Sequence, residues 1–397
     1  MMKISHEFLQ RQDFKSVFSA LGCDNVYIVG GAVRDAIINR AVNDIDFATI
    51  LLPDEIIKHL KKANIKYVPT GIEHGTISAI INKHPYEITT FRKDVETFGR
   101  HASVEFTSDI KADAKRRDFT INALYCNQKG EIFDPIGKGI DDIKAKKIAF
   151  VGNPIDRIEE DYLRILRLFR FFAQLDGFSI DERAIEACQK LGFNIPKLSR
   201  ERINVEIMKI LGAQNAPNAL ELMDKNQILS FAIGDNYDLK PIDILWANQK
   251  QIGIAPNHIR SLIAILVREK AYIIDFCKSL RISNKEKVIL LDMVKMANFL
   301  DGKLEIKNLK IAAFKFGKNL VLDFILSNIA NCKEIYRQLS EFEVPNFPID
   351  GKILGDMGVK SGPKMGKILQ SLETIWLENN FIIDDKIIKQ EIEKLGF

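Results

Sequence analysis

Residues 26–49 place the tightest limit on the fold. A short apolar run, Val26-Tyr27-Ile28-Val29, meets two glycines, a helix opens at Arg34-Asp35, and the next strand brings carboxylates at Asp44 and Asp46. Side chains alternate across a strand, so residues at i and i+2 share a face and the two aspartates project side by side. Two like charges so close call for a cation. Oxygen-only ligation, beside a glycine turn that lets backbone N–H groups approach phosphate, suits Mg²⁺ on a nucleoside triphosphate. Alone, an Asp-x-Asp is a common surface turn and a Gly-Gly often only ends a strand. Here both sit in one strand–turn–helix–strand unit, which favours chemistry.

At 397 residues the chain is too long for one ordinary core and reads as roughly two to four domains. Its composition, 46% hydrophobic and 28% charged, is that of a soluble globular protein. The net charge of +4 permits a nucleic-acid partner if the basic residues share a face, without requiring one. Cys23, Cys126, Cys188, Cys277 and Cys332 have no short spacing between them, which argues against a disulfide framework or a zinc site of the usual kinds. The N-terminal residues turn polar at once, and no run approaches the roughly eighteen apolar residues of a membrane span. A cytoplasmic protein with no membrane association is expected.

Strand-like runs recur up to about residue 150, at 26–29, 45–48, 76–81, 86–90 and 132–133, with helical stretches at 33–38 and 54–63. After Pro154 the strand signals stop. Helical periodicity covers 157–175, 199–211, 257–267 and 284–300, punctuated by Gly192, Pro196, Gly212, Pro217, Pro241 and Pro256. An α/β head followed by an all-helical body is predicted.

The pattern Gly30-Gly31-x-Val33-Arg34-Asp35 with Asp44-x-Asp46 resembles the head of the class II tRNA nucleotidyltransferases and bacterial poly(A) polymerases. Asp44 and Asp46 are the candidate catalytic and metal-binding residues, with Mg²⁺ as cofactor. Transfer of a nucleotidyl group needs mostly positioning and charge neutralisation. Arg34, in the first helical turn, can grip phosphate with its fork of donors beside the Gly30-Gly31 turn. Downstream, Arg116-Arg117-Asp118-Phe119-Thr120-Ile121-Asn122-Ala123 matches a family segment that contacts triphosphate and ribose. Arg117 is the leading candidate there, with Arg116, Asp118 and Asn122 as neighbours. Asp134-Pro135-Ile136-Gly137 resembles an element at the head–neck junction and reads as a hinge.

Residues 160–171, Glu-Asp-Tyr-Leu-Arg-Ile-Leu-Arg-Leu-Phe-Arg-Phe, read as helix. At 100° per residue Ile158, Ile165, Leu166, Phe169 and Phe172 form a core stripe of about 120°, and Asp161, Arg164, Arg167 and Arg170 lie outside it. Asp161 and Arg164 would be adjacent. As a surface ion pair they would be worth a few tenths of a kcal/mol. As a template, the carboxylate accepts from an exocyclic amine while the guanidinium donates to the neighbouring ring nitrogen. Cytosine and adenine offer that edge; uracil and guanine present its reverse. The pattern is similar to the base-selecting motif of the CCA-adding family, with Arg167 and Arg170 holding the nucleotide or buttressing the pair.

Residues 89–100 resemble the flexible loop that the family uses when switching from C to A addition. Ser199 reads as the N-cap of a supporting helix. Near the C-terminus, a Gly362-Pro363 helix start with Lys360, Lys364 and Lys367 is a candidate contact for RNA phosphate.

The resemblance implies an α+β nucleotidyltransferase head, a five-stranded sheet with flanking helices, followed by an all-α neck, body and tail. The expected boundaries are 1–150 for the catalytic head, 151–212 for a base-selecting neck, 213–290 for the body and 291–397 for a tRNA-binding tail. The implied activity is template-free addition of C, C and A to the tRNA 3′ end from CTP and ATP with release of pyrophosphate, without an obligatory protein partner. An A-adding enzyme or poly(A) polymerase is the alternative within the class; a non-catalytic RNA-binding protein is the alternative outside it. The Pro69-to-Thr76 stretch looks like the CCA-adding version, and the basic Gly-Arg-Arg-Phe element of bacterial poly(A) polymerases is absent. A metal phosphohydrolase activity is rejected, since there is no His-Asp dipeptide and His258 is the one histidine after residue 101.

Overall fold

The computed structural model describes residues 2–42, 44–98 and 101–395, with the backbone alone described at 94–98 and 101–103. The chain forms two compact units, Met1–Asp235 and Asn236–Phe397. The expected head and neck, residues 1–150 and 151–212, both lie in the first unit, and the expected tail, 291–397, lies in the second.

The first unit begins with α1 (Gln12–Leu21), β1 (Val26–Val29), α2 (Gly31–Ile37), β2 (Asp46–Thr49), α3 (Pro53–Lys62), β3 (Lys66–Gly71), β4 (Thr76–Ile81) and β5 (His84–Thr90). A hairpin of β6 (Arg92–Phe98) and β7 (His101–Phe106) leads to α4 (Ile110–Lys115), β8 (Tyr125–Cys126), β9 (Ile132–Phe133), α5 (Gly139–Lys144) and β10 (Lys147–Ile148). The main sheet runs β3-β4-β5-β2-β1-β8-β9. Only β2 and β5 pair in parallel; the other neighbours are antiparallel. The five longer strands, β1 to β5, match the five-stranded sheet that the resemblance implied. The two-residue strands β8 and β9 extend it to seven, and they are too short to carry a period-two signal.

Both faces of the central strands are covered, which is why β1 reads as a continuous apolar run. On one face Phe47 packs against Phe14 and Phe18 of α1, with ring centroids 5.7 Å apart in each case. On the other, Val29 and Ala48 join Phe91 and Tyr125.

The helical part of this unit continues with α6 (Pro154–Glu160), α7 (Leu163–Gln174), β11 (Ser179–Ile180), α8 (Glu182–Leu191), α9 (Arg200–Leu211), α10 (Ala216–Lys225) and α11 (Ile228–Ile233). Two sequence expectations are corrected here. Strand structure does not end at Pro154, because β11 pairs in parallel with β10. The helix read over 157–175 is also broken at Asp161, which is extended at φ −156° and ψ 105°. The cause is local: the Asp161 carboxylate accepts the Leu163 N–H at 3.1 Å and its carbonyl accepts the Arg164 N–H at 3.0 Å, so α7 starts afresh. The core stripe survives the break, with Ile158, Ile165, Leu166 and Phe169 buried.

The second unit is helical: α12 (Lys240–Ile252), α13 (His258–Ile265), α14 (Lys270–Ser279), α15 (Asn284–Leu300), α16 (Ile306–Phe316), α17 (Lys318–Asn328), α18 (Lys333–Glu341), α19 (Gly351–Asp356), α20 (Pro363–Glu378) and α21 (Asp385–Lys394). Trp376 anchors an aromatic cluster with Phe314, Phe347 and Phe381. Cys23 is exposed, the other four cysteines are buried, and all five are free thiols. Among the described residues no helix is long and apolar enough to cross a membrane.

Candidate active site

The antiparallel register of β1 and β2 pairs Val29 with Asp46, so the turn at Gly30 lies directly beside the carboxylates. Gly30 has φ +73°, a backbone conformation that L side chains rarely adopt. Its N–H donates to the Leu124 carbonyl at 3.1 Å. Gly30 therefore shapes the turn and does not itself offer a donor to phosphate, which corrects part of the expectation for this pair. Gly31 opens α2.

Asp44 and Asp46 are exposed while Ile45 and Phe47 between and after them are buried, the alternation that the strand predicts. Both line a cleft of about 670 Å³ together with Gly30, Gly31 and Arg34. Neither makes a hydrogen bond or ion pair among the described residues. The Asp46 carboxyl is raised above its usual range, first by desolvation in the cleft and then by Glu87 and Asp44, with Arg117 pulling the other way. The parallel register of Phe47 with Ile88 puts Glu87 next to Asp46 on the same face. Among the described residues no group of three or more His, Cys, Asp or Glu side chains is gathered as a metal cluster. Two unsatisfied carboxylates in a water-open cleft still fit a hard divalent ion whose other ligands come from substrate phosphate and water.

The rest of the cleft lining is rich in arginine. Arg34 is buried, with Nη1 donating to Asn122 Oδ1 at 2.6 Å and Nε and Nη2 held by Asp35 at 3.0 Å. Asn122 donates to Asp118 Oδ1 at 3.2 Å, and Asp118 Oδ2 accepts from Arg167 Nε at 2.8 Å. Arg170 pairs with Glu206 at 2.8 Å. One ring gathers three of these guanidiniums: Arg34, Arg167 and Arg170 lie 4.9, 5.6 and 4.3 Å from the Phe171 centroid. Arg117 also lines the cleft, held by Tyr125 Oη and Asp113 Oδ2, each at 3.0 Å. Arg116 does not line it; its Nε donates to Asp113 Oδ1 at 2.9 Å.

The Asp161 and Arg164 side chains each have partners of their own. Asp161 Oδ2 accepts from Arg202 Nη2 at 2.6 Å, while Arg164 Nη1 donates to Glu160 Oε2 at 2.5 Å and to the Arg157 carbonyl at 2.8 Å. Neither residue lines the 670 Å³ cleft. The helix break explains this, since an extended Asp161 no longer steps onto the α7 surface in phase with Arg164. Ser199 does take the N-cap position of α9, and Gly362-Pro363 does open α20. In the loop expectation over 89–100, Gly99 and Arg100 lie outside the described residues, as does the Asp94 side chain.

The model of the poly A polymerase head domain matches residues 26–149, and that of the probable RNA and SrmB-binding site of polymerase A matches residues 177–233. The mitochondrial CCA tRNA nucleotidyltransferase 1 of Danio rerio is 31% identical, over 94% of this chain and 90% of that protein. The CCA-adding enzyme of Lactococcus lactis is likewise 31% identical, over 99% of this chain and 98% of its own. This chain belongs to the CCA-adding nucleotidyltransferase family. The fold agrees: the Thermotoga maritima CCA-adding enzyme, solved in complex with tRNA-CCA, superposes with a TM-score of 0.75 at 19% identity, covering 100% of both chains.

For a CCA-adding family nucleotidyltransferase, three residues at this site escaped the sequence reading. Glu87 could have been found from strand alternation, since it precedes buried Ile88 on β5. Phe171 reads in the sequence only as the last residue of a motif. Asp113 shows half of its role in the sequence, since Arg116 and Arg117 follow at i+3 and i+4, but Arg92 and Tyr125 reach it only through tertiary packing.

Proposed function

We propose that this protein adds C, C and A without a nucleic-acid template to the 3′ end of tRNA, using CTP and ATP and releasing pyrophosphate. The observation that carries the reading is a single cleft in which two unpaired carboxylates, Asp44 and Asp46, face Arg34, Arg117, Arg167 and Arg170. Asp44 and Asp46 would hold Mg²⁺, which would supply a lowered pKa for the attacking 3′-hydroxyl and charge neutralisation for the leaving pyrophosphate. Arg34 and Arg117 hold the triphosphate, each fixed in place by its own carboxylate partner so that little reorganisation accompanies transfer. Gly30 and Gly31 keep the strand-to-helix turn open enough for the phosphates to approach.

Base choice falls to Asp161 and Arg164. For them to meet a base edge together, Asp161 leaves Arg202 and Arg164 leaves Glu160, so nucleotide entry and formation of the template are one event. Arg167 and Arg170 buttress that wall from the Phe171 ring. In this reading residues 1–150 carry transfer, 151–212 selection, and 213–290 with 291–397 the tRNA, with Lys360, Lys364 and Lys367 near the start of α20 as phosphate contacts.

The test is incorporation of each labelled nucleotide, alone and as CTP plus ATP, on tRNA lacking CCA, ending in C or ending in CC, with Mg²⁺ and an EDTA control. Ordered addition of C, C and A that then stops is the expected result. Addition of A to the CC end alone would make this an A-adding enzyme, and long A tails a poly(A) polymerase. No incorporation with retained tRNA binding would leave an RNA-binding protein.

A further inference from the structure

Asp113 is fully buried and does not line the cleft, yet four donors converge on its carboxylate. Oδ1 accepts from Arg116 Nε at 2.9 Å and from the Arg92 backbone N–H at 3.3 Å. Oδ2 accepts from Arg117 Nη2 at 3.0 Å and from the Tyr125 hydroxyl. Burial pushes this carboxyl up, but Arg117 and Arg116 outweigh it and hold the group below its usual range, so it stays ionised.

Each donor leads to a different part of the machinery. Arg92 is the first residue of β6, at the base of the hairpin. Arg117 stands in the cleft, with Nη1 against the Gly30 turn. Arg116 offers its carbonyl to Arg164 Nη2 at 3.1 Å, and the neighbouring Lys115 carbonyl accepts from Arg157 Nη1 at 2.9 Å. A carboxylate is a rigid plane. A shift of the hairpin base that moves Oδ1 therefore moves Oδ2 and Arg117 with it, and draws on the segment that holds Arg164.

We propose that Asp113 is a positioning residue that ties the base of the β6–β7 hairpin to Arg117 in the cleft and to Arg164 beside it, so that nucleotide choice depends on a side chain that never meets the nucleotide. The inference rests on the functional reading above and assigns it a residue outside the cleft.

Single-nucleotide addition is measured with each of the four nucleoside triphosphates for wild type, Asp113→Asn and Arg116→Ala, with thermal melts as the fold control. Both variants are expected to raise KM for CTP and ATP and to lose discrimination against UTP and GTP by roughly fivefold or more, the lower end of coupling between separated sites. kcat at saturating CTP should change less than KM. Arg116→Ala keeps the test decisive where Asp113→Asn does not fold, because Arg116 is only partly buried and lies outside the cleft. Folded variants with KM and discrimination within about twofold of wild type would overturn the inference alone; the same fold-change confined to kcat would also overturn it. Wild type that adds neither C nor A would remove the functional reading, and this inference with it.

Discussion

Arg167 of α7 donates through Nε and Nη2 to one oxygen of Asp118, clipping the neck helix to the segment that follows α4. The pair is enclosed enough to matter energetically. Burial pushes the Asp118 carboxyl up, but Arg167 and the Asn122 and Phe119 N–H donors bring it from 3.8 down to about 2. A carboxyl depressed in the folded state contributes stability above its unfolded pKa and loses that contribution as pH falls through the folded value. The contribution is roughly 2 kcal/mol at neutral pH. Urea midpoints measured from pH 7 to pH 2 should show wild type losing its advantage over Asp118→Asn between about pH 4 and pH 2. A gap that stays constant over that range would contradict the assignment.

Asp46 has the opposite sign. Its raised pKa means that the charged form is disfavoured by folding, so at neutral pH the Asp46 carboxylate costs stability in the absence of a cation. Asp46→Asn should therefore melt higher than wild type in EDTA. Mg²⁺ should raise the melting temperature of wild type more than that of the variant. Asp44→Ala and Asp46→Asn should both abolish nucleotide transfer with little loss of tRNA binding, read by incorporation and by filter binding. Equal loss of both activities would remove the metal role.

What could be read in advance follows the range of the physical signal. Val26 to Val29 and Thr76 to Ile81 were legible to the residue, because alternation and apolar runs are local. So was α15 over Asn284–Leu300, which opens with a Ser283–Glu286 capping box. The break at Asp161 was not legible, since the apolar stripe keeps its phase from Ile158 to Phe169 and hides the kink. The carboxylates of the site were found because i, i+2 spacing places them. The guanidinium wall is legible as residue types but not as an arrangement, because Arg34 reaches Phe171, Arg167 reaches Asp118 and Arg170 reaches Glu206 only through tertiary packing.

Arg164 anchors the Glu160 carboxylate and the Arg116 carbonyl, so its removal does more than delete the proposed base contact. Arg164→Ala should lose discrimination between CTP and UTP by about 1–3 kcal/mol, the range of one bidentate base contact, while retaining turnover. Arg202→Ala frees Asp161 from its 2.6 Å partner without removing the template carboxylate. It should lower discrimination less than Arg164→Ala does. Sharp selectivity in Arg164→Ala, measured by competition of the four nucleotides on tRNA ending in C, would refute the template assignment.

Phe171 lies among three guanidiniums of the cleft. Arg34, Arg167 and Arg170 carry like charges within 6 Å of one centroid and are each matched to a carboxylate, Asp35, Asp118 and Glu206. The ring's negative faces favour that crowding, and an aliphatic side chain of similar bulk does not. Phe171→Leu should preserve the fold, since the site stays apolar, but let the guanidiniums spread. At roughly 0.5–2 kcal/mol per cation–ring contact, the affinity for ATP and CTP should fall about twofold to thirtyfold if one such contact is lost at the triphosphate. Nucleotide affinity is read by equilibrium binding in Ca²⁺, which separates it from turnover. Unchanged affinity in a folded Phe171→Leu would mean that Asp35, Asp118 and Glu206 hold the arginines by themselves, and that the ring is only packing.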